Sequence, residues 1–146
     1  MCAAGYRTTL AALLLATAVG CSSSPDVEPL PGSTTPGTAA ITINDQDLGE
    51  VTSVSCWAAG PLMTIRTGTD NSGTSSLVSN ADGMSARTVS IRDLGGFTGS
   101  YNFDLQGEAE VAMTANTYSI VGNAVGFDTD NPSFRSQGTF EITVAC

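Results

Sequence analysis

Short β-forming segments separated by turn-forming residues are the feature that most constrains the fold of this chain. From about residue 39 onward, apolar and polar residues alternate over short runs such as Ile41-Thr42-Ile43, and clusters of Gly, Asn and Asp interrupt these runs every ~8–12 residues. No stretch of this region keeps a helical period over ~11 residues. The pattern predicts a mostly β fold, either an antiparallel β-sandwich or a strongly curved sheet.

The predicted strands and turns alternate along the whole region. Strands are predicted at 39–43, 52–57, 62–66, 74–79, 87–92, 101–105, 110–114, 117–121 and 139–146. A helical turn is the alternative at 74–79. Turns or loops are predicted at 44–47, 59–61, 68–73, 80–83, 94–99, 115–116 and 126–132. Alternation places Val89, Ile91, Phe140, Ile142 and Val144 on the core face.

Residues 1–20 have the features of a bacterial lipoprotein signal peptide. Arg7 precedes an apolar run of about ten residues at 10–19, which suits a signal-peptide core of ~7–15 residues but not a transmembrane helix of ~20. Small residues then precede Cys21, whose thiol would receive a diacylglycerol group. We therefore predict that Cys21 is lipidated. An ordinary secretory signal with a chance cysteine is the alternative.

The segment 21–39 has the composition of a disordered tether. It holds four of the six prolines of the chain among Gly, Ser and Thr, and it offers little apolar surface to bury. Prolines favour extended polyproline II. Ser/Thr residues among prolines are also typical of O-glycosylated stalks. The candidate acceptors are Ser33, Thr34, Thr35 and Thr38, and a plain linker is the alternative.

These composition shifts divide the chain into three parts. They are a signal peptide at 1–20, the acylated cysteine and tether at 21–39, and a β-rich domain at 40–146. The domain has about 107 residues, enough for one hydrophobic core. The prediction is an exported protein in the cell envelope, held outside the cytoplasm at the membrane by the lipid on Cys21, because two or more acyl chains give stable anchoring.

Two cysteines fall within the predicted domain, Cys56 and Cys146. In an exported protein such a pair most often forms a disulfide, and the strand alternation places both on the core face, which predicts a buried bridge. Closing a loop of about 90 residues stabilises the folded domain by ~4.5 kcal/mol, because it lowers the entropy of the unfolded chain. The alternative is two free buried thiols. A metal site built on two isolated cysteines without histidine is a weaker alternative.

Composition excludes several classes of function. The chain has 14 acidic residues against five basic ones, all arginine, so it lacks the positive surface that nucleic acid requires. It has no histidine. Without histidine, a Ser-His-Asp or Cys-His site cannot be built. The chain also has no lysine, so a Schiff-base nucleophile is missing. These observations predict a protein that is not an enzyme, with no cofactor and no metal site.

Two kinds of acidic cluster could form a calcium site or a catalytic carboxylate pair. Asp45-x-Asp47 and Asp128-x-Asp130 resemble fragments of calcium loops, but Pro132 breaks the second pattern, so solvated turns are the better interpretation. Glu108-x-Glu110 places two carboxylates on one strand face, where a solvated face is favoured over a glycosidase pair.

Five aromatic residues could line a pocket for an apolar lipid, although core packing is the favoured interpretation. They are Trp57, Phe97, Tyr101, Phe103 and Tyr118.

Several stretches resemble the mycobacterial surface lipoprotein antigens, the LpqH-like group known as the 19 kDa lipoprotein antigens. They are Gly20-Cys21-Ser22-Ser23, the Thr/Pro/Gly tether, Ile41-Thr42-Ile43, Val54-Ser55-Cys56, the run 118–128, Asn131-Pro132 and the run 140–146. The likeness is specific in the C-terminal third and vague at 68–107.

This resemblance implies an exported, acylated and often O-glycosylated envelope protein without enzymatic activity. It implies that Cys21 carries the lipid and that glycans lie near Thr34 and Thr35. It also implies two domain cysteines and recognition by host innate receptors through the acylated N-terminus. The resulting hypothesis is a surface-displayed lipoprotein antigen. The rival hypothesis is a carrier for an apolar envelope lipid in a pocket of the β-domain.

Overall fold

The computed structural model describes residues 34–146, and this part of the chain forms ten strands and no helix. It therefore contains no helix long and apolar enough to cross a membrane. The strands are β1 (Ala39–Ile43), β2 (Gln46–Val51), β3 (Val54–Ala59), β4 (Leu62–Gly68), β5 (Gly73–Ser79), β6 (Ser85–Leu94), β7 (Phe97–Asn102), β8 (Glu108–Thr114), β9 (Thr117–Asp128) and β10 (Ser136–Ala145).

The strands form one continuous antiparallel sheet, in the order β2-β1-β10-β9-β7-β6-β5-β4-β3, with β8 paired to β9 beside this path. The mostly β prediction is confirmed, and of its two forms the strongly curved sheet is the one observed. The strand at 74–79 is also confirmed over its helical alternative, since β5 pairs with both β4 and β6.

The curvature follows from a very short connection between the two outermost strands. β2 and β3 lie at opposite ends of the strand order, yet only Thr52 and Ser53 separate Val51 from Val54. Three peptide steps span at most ~11 Å. The sheet must therefore bend until its first and last strands approach each other, and the core fills the enclosed space.

A disulfide also connects β3 with the other half of the strand order, through the residue that follows β10. Cys56 of β3 is bonded to Cys146, which follows β10, with a Cα–Cα distance of 5.8 Å. The predicted bridge is confirmed, and the alternative of two free thiols is wrong. The expectation that it is buried is also wrong, because Cys56 is half-buried and Cys146 is exposed. The bridge lies at the rim, where the core is already closed by Val144 and Ala145.

β9 is the longest strand and serves three neighbours. One of its edges pairs with β10 over its length from Thr117 to Gly126. The other edge is shared: β8 pairs with residues 117–123 and β7 pairs with residues 125–128. The predicted hairpin at 108–124 is confirmed. The predicted loop at 126–132 is wrong in its first part, since β9 continues to Asp128.

The predicted turn at 44–47 is shorter than expected. Asn44 and Asp45 both have positive φ, of 50° and 63°, and make a two-residue turn, so β2 already begins at Gln46. Asn and Asp tolerate this left-handed region better than most residues. β2 was missed because its exposed polar residues carry no clear apolar alternation.

The predicted loop at 94–99 is also shorter than expected. Gly95 and Gly96 form a two-residue turn with φ of 57° and 74°, and β7 begins at Phe97. The predicted strand at 101–105 is correspondingly displaced, because β7 ends at Asn102 and both Phe103 and Leu105 lie beyond it.

The core lines the inner face of the curved sheet. The five residues placed there by alternation are all buried, at 0–1% exposure. Phe97 is fully buried, and its ring lies against Gly99 of the same strand and Gly138 of β10. A Cβ atom at Gly99 or Gly138 would come within 2.6 Å or 2.8 Å of the Phe97 ring. These glycines therefore provide the space for the largest buried ring.

We predict that Gly138→Ala lowers the free energy of unfolding by about 1–3 kcal/mol, because the new methyl group collides with the Phe97 ring. The measurement is chemical denaturation. Phe97→Leu in the same background should relieve the collision, so the double variant should be more stable than the sum of the two single effects predicts. Simple additivity would contradict this explanation.

Candidate functional site

The segment that leads into β1 is fastened to the end of the domain formed by β9 and β10. The Thr34 amide donates a hydrogen bond to Thr117 Oγ1 at 2.9 Å. Gly37 N donates to the Ala145 carbonyl at 2.9 Å, and Ala145 N donates to the Thr38 carbonyl at 2.9 Å. Contacts with the domain therefore include the first described residue, Thr34, which lies beside the β8–β9 turn.

The residues central to anchoring precede this point. The signal peptide at 1–20, the lipidation candidate Cys21, the tether up to residue 33 and the glycan acceptor Ser33 lie outside the described residues. They stay predictions.

The three threonine acceptors in the described chain differ in accessibility. Thr34 Oγ1 is buried and has no hydrogen-bond partner among the described residues. Thr38 is half-buried and its hydroxyl donates to the Thr35 carbonyl at 2.6 Å. Thr35 itself is exposed. An enzyme that attaches a sugar could therefore reach Thr35 most readily.

The Asp residues considered for calcium have local structural roles. Asp47 Oδ1 accepts a hydrogen bond from Gly49 N at 2.8 Å, and Asp45 occupies the β1–β2 turn. The Asp128 carbonyl accepts from Asn131 N at 2.9 Å in the turn after β9. Within residues 34–146, no group of three or more His, Cys, Asp or Glu side chains is arranged to hold a metal ion.

Glu108 and Glu110 lie on the exposed face of β8, as the solvated-face interpretation predicts. Their separation by two positions on one strand gives them a common direction into solvent rather than opposite walls of a cleft. The arrangement offers no enclosed space between two carboxylates.

The five aromatic residues do not surround one cavity. Phe97, Tyr101 and Tyr118 are buried in the core, whereas Trp57 and Phe103 are 48% and 40% exposed. Arg87 lies over the Phe103 ring, with its guanidinium carbon 4.1 Å from the ring centroid. The core-packing interpretation therefore accounts for three of the five.

An apolar cleft lies at the end of the domain that holds Thr34. It has a volume of about 150 Å³, and Leu62, Met63, Met84, Met113 and Tyr118 are among the residues that line it. Tyr118 is the neighbour of Thr117, which holds the Thr34 amide. The cleft joins side chains from three hairpins that are far apart in the sequence, so the sequence pattern could not indicate it.

A second, polar cleft was also missed from the sequence. It has a volume of about 450 Å³ and is lined by hydroxyl and arginine side chains of β3 to β6, among them Ser55, Arg66, Ser75, Ser90 and Arg92. Each residue alone looked like an ordinary solvated position. Only the register between strands places them in one row.

Tyr101 is the one described residue whose pKa clearly departs from its usual value. Burial raises the pKa of its phenol above 10.0, the negative charge of Asp104 raises it further, and Arg87 opposes both. The phenol donates a hydrogen bond to the Ala86 carbonyl at 3.1 Å. Both observations fit a structural role in which the neutral phenol closes the core.

Comparison with known proteins matches the sequence model of the Mycobacterium 19 kDa lipoprotein antigen to residues 32–146. The chain belongs to this family. The match covers the whole described domain and confirms the resemblance found in the sequence. It also places the chain with lipoprotein antigens of the envelope rather than with a class of enzymes.

Individual relatives agree with this family assignment. A putative lipoprotein of Mycobacterium indicus pranii is 32% identical over 143 residues, covering 96% of this chain and 98% of the relative. Lipoprotein LpqH of Mycobacterium avium is 32% identical over 111 residues, covering 75% and 68%. Lipoprotein LpqH of Mycobacterium tuberculosis is 29% identical over 147 residues, covering 93% and 92%.

The raised pKa of Tyr101 predicts a loss of stability in alkali. Below pH ~10 the phenol is neutral in both states, and its full contribution is present. As the pH rises above the unfolded pKa, the unfolded chain releases the proton first, so the free energy of unfolding should fall until the folded pKa is passed. Denaturation at pH 8 to 11 measures this, with Tyr101→Phe as the variant that should lose the Tyr101 part of the slope. An unchanged slope in that variant would contradict the assignment.

Proposed function

We propose that this family member is displayed on the cell envelope by a lipid on Cys21, and that host innate receptors recognise it through that acylated N-terminus. The observation that carries the proposal is the lipoprotein signal sequence ending at Cys21, in a chain whose domain belongs to a lipoprotein antigen family. The protein then consists of a removed signal peptide at 1–20, a tether at 21–39 and the domain at 40–146.

The way the domain is fastened supports a display role. The hydrogen bonds of Thr34, Gly37 and Thr38 hold the segment before β1 at one end of the sheet. Twelve residues, 22–33, separate that point from Cys21, and they could extend to ~40 Å. With the tether extended, the domain would stand clear of the lipid surface, and its Thr34 end would be the one nearest the anchor. Its excess of acidic residues, which anionic headgroups repel, makes a covalent lipid the natural means of attachment.

The proposal includes no catalytic activity. The chain lacks histidine and lysine. Its paired Asp residues lie in or next to turns, and Glu108 and Glu110 lie on an open strand face. Among the glycan acceptors we propose Thr35, because its side chain is exposed whereas the Thr34 hydroxyl is buried. Peptide mapping that locates hexose elsewhere than Thr35 or Ser33 would contradict this choice.

We predict that Cys21→Ala abolishes both membrane attachment and receptor signalling, because it removes the only acceptor for the diacylglycerol. The test uses a mycobacterial host, cell fractionation, intact mass and a receptor reporter assay. Wild-type protein should begin at Cys21 and carry two or three acyl chains. Cys2→Ala is the matched control: it removes a cysteine from the signal peptide and should change nothing.

Two outcomes would overturn the proposal. One is a Cys21→Ala protein that still sediments with membranes and still signals. The other is a wild-type protein of unmodified mass that is released to the medium.

The second candidate, a carrier for an apolar lipid, is supported by the apolar cleft of Leu62, Met63, Met84 and Met113. Its volume of about 150 Å³ lies below the ~300–1,000 Å³ typical of small-molecule sites, so the support is weaker. A carrier should release a stoichiometric lipid when the purified protein is extracted with solvent, and Met113→Asp should abolish that lipid while leaving Cys21 acylation intact. Extracts without lipid would remove this candidate.

A further inference from the structure

We propose that the polar cleft on the outer face of β3 to β6 binds a neutral saccharide chain. The cleft is open, has a volume of about 450 Å³ and is lined mainly by polar groups. It lies on the face opposite the core, because the alternate residues Ile65, Val89 and Ile91 are buried on the inner side. A polar, open cleft of this size suits a ligand that carries many hydroxyl groups.

The strand register arranges these side chains in a line. Ser55 pairs with Arg66, Arg66 with Ser75, and Ser75 with Ser90, so one polar residue comes from each of four neighbouring strands. Adjacent strands are ~4.8 Å apart, and the row therefore spans ~14 Å. This step is comparable with the length of one sugar ring, so successive side chains could meet successive units of an extended saccharide.

Two of the five arginines of the chain meet at Asp70, beside this row. Arg66 Nη2 lies 3.1 Å from Asp70 Oδ1, and Arg92 Nη1 donates a hydrogen bond to the Asp70 carbonyl at 2.8 Å. Asp70 thereby brings both guanidinium groups to the same wall of the cleft. Each guanidinium has five N–H donors, so these bonds leave others for a ligand.

The mixture of donors and acceptors fits hydroxyl groups in particular. Arginine only donates, the Asp70 carboxylate only accepts, and each serine hydroxyl can do both. A sugar hydroxyl likewise donates one hydrogen bond and accepts others. A ligand with hydroxyls could therefore satisfy all three kinds of group at once.

The charge balance favours a neutral saccharide over an anionic one. The Asp70 carboxylate lies beside Arg66 and offsets part of the positive charge of the two arginines. The whole chain has a net charge of −9, which repels anionic ligands at long range. Hydrogen bonding rather than net charge should therefore dominate recognition.

Trp57 supplies an apolar surface on the same face. It lies two residues after Ser55 on β3, so both side chains point outward, about 7 Å apart along the strand. Its side chain is 48% exposed. A flat aromatic ring next to hydrogen-bonding groups is suited to stacking against the C–H face of a sugar ring.

The test uses this tryptophan, the only one in the chain, as its own reporter. The full-length protein is kept in a zwitterionic detergent that contains no sugar, and oligosaccharides of glucan, mannan, arabinan and galactan are titrated to millimolar concentration. We expect at least one of them to produce a saturable change in Trp57 fluorescence. Arg92→Ala and Ser90→Ala should each weaken that binding, Arg92→Ala by about tenfold, because a charged hydrogen bond is lost.

Arg135→Ala is the matched control, because it removes an exposed arginine in the β9–β10 turn, outside the cleft. It should bind as wild type does, and near-ultraviolet circular dichroism should confirm that all variants are folded. The proposal is overturned if no neutral oligosaccharide gives a saturable change. It is also overturned if Arg92→Ala and Ser90→Ala bind as tightly as Arg135→Ala, or if only saccharides bearing carboxylate or phosphate bind.

Discussion

The joint between β3 and the end of β10 is the constraint on which the rest of this structure depends. An antiparallel sheet that twists freely would leave β2 and β3 far apart at its two ends. Here a two-residue link joins β3 to β2, and the Cys56–Cys146 bridge ties β3 to the end of β10, two strands from β2 in the strand order. The bond closes a loop of 90 residues and so restricts the unfolded chain. This restriction stabilises the folded state by ~4.5 kcal/mol. The curved shape and the enclosed core follow from this closure.

The curvature of the sheet also explains why its two faces differ in composition. The inner face carries nearly all the large buried side chains, including Phe97 over its two glycines. The outer face is therefore free to carry serine, threonine and arginine without cost to the core. The polar cleft uses this freedom on β3 to β6, whereas the apolar cleft forms where the turns of three hairpins meet.

Much of the fold could be predicted because strand alternation is a local property. Phe140, Ile142 and Val144 show it clearly, and all three are buried. β2 escaped detection because an edge strand with exposed residues needs no apolar pattern. The choice between a sandwich and one curved sheet could not be made from the same pattern, since both place alternate residues inward.

The sites show the same limit more strongly. The pairing of Cys56 with Cys146 could be predicted because an exported domain with two cysteines leaves few options, but its position at the rim depends on where the strands end. The row from Ser55 to Ser90 depends on the register of three successive strand pairs, and the sequence of one strand does not determine any of these registers. Residues that act together across strands are therefore the last to be found from a sequence.

The position of the β9–β10 turn has a consequence for immunity to such an antigen. Residues 129–135 are all exposed, and Phe134 is 73% exposed at the far end of a ten-residue strand from Ala145. That strand measures ~30 Å, so the turn lies about this far from the point where Thr34 holds the tether. In the proposed arrangement, with the lipid on Cys21 as the anchor, this turn is the part of the domain farthest from the anchored end. Antibodies approaching from outside would meet this turn first, and the apolar cleft beside Tyr118 last.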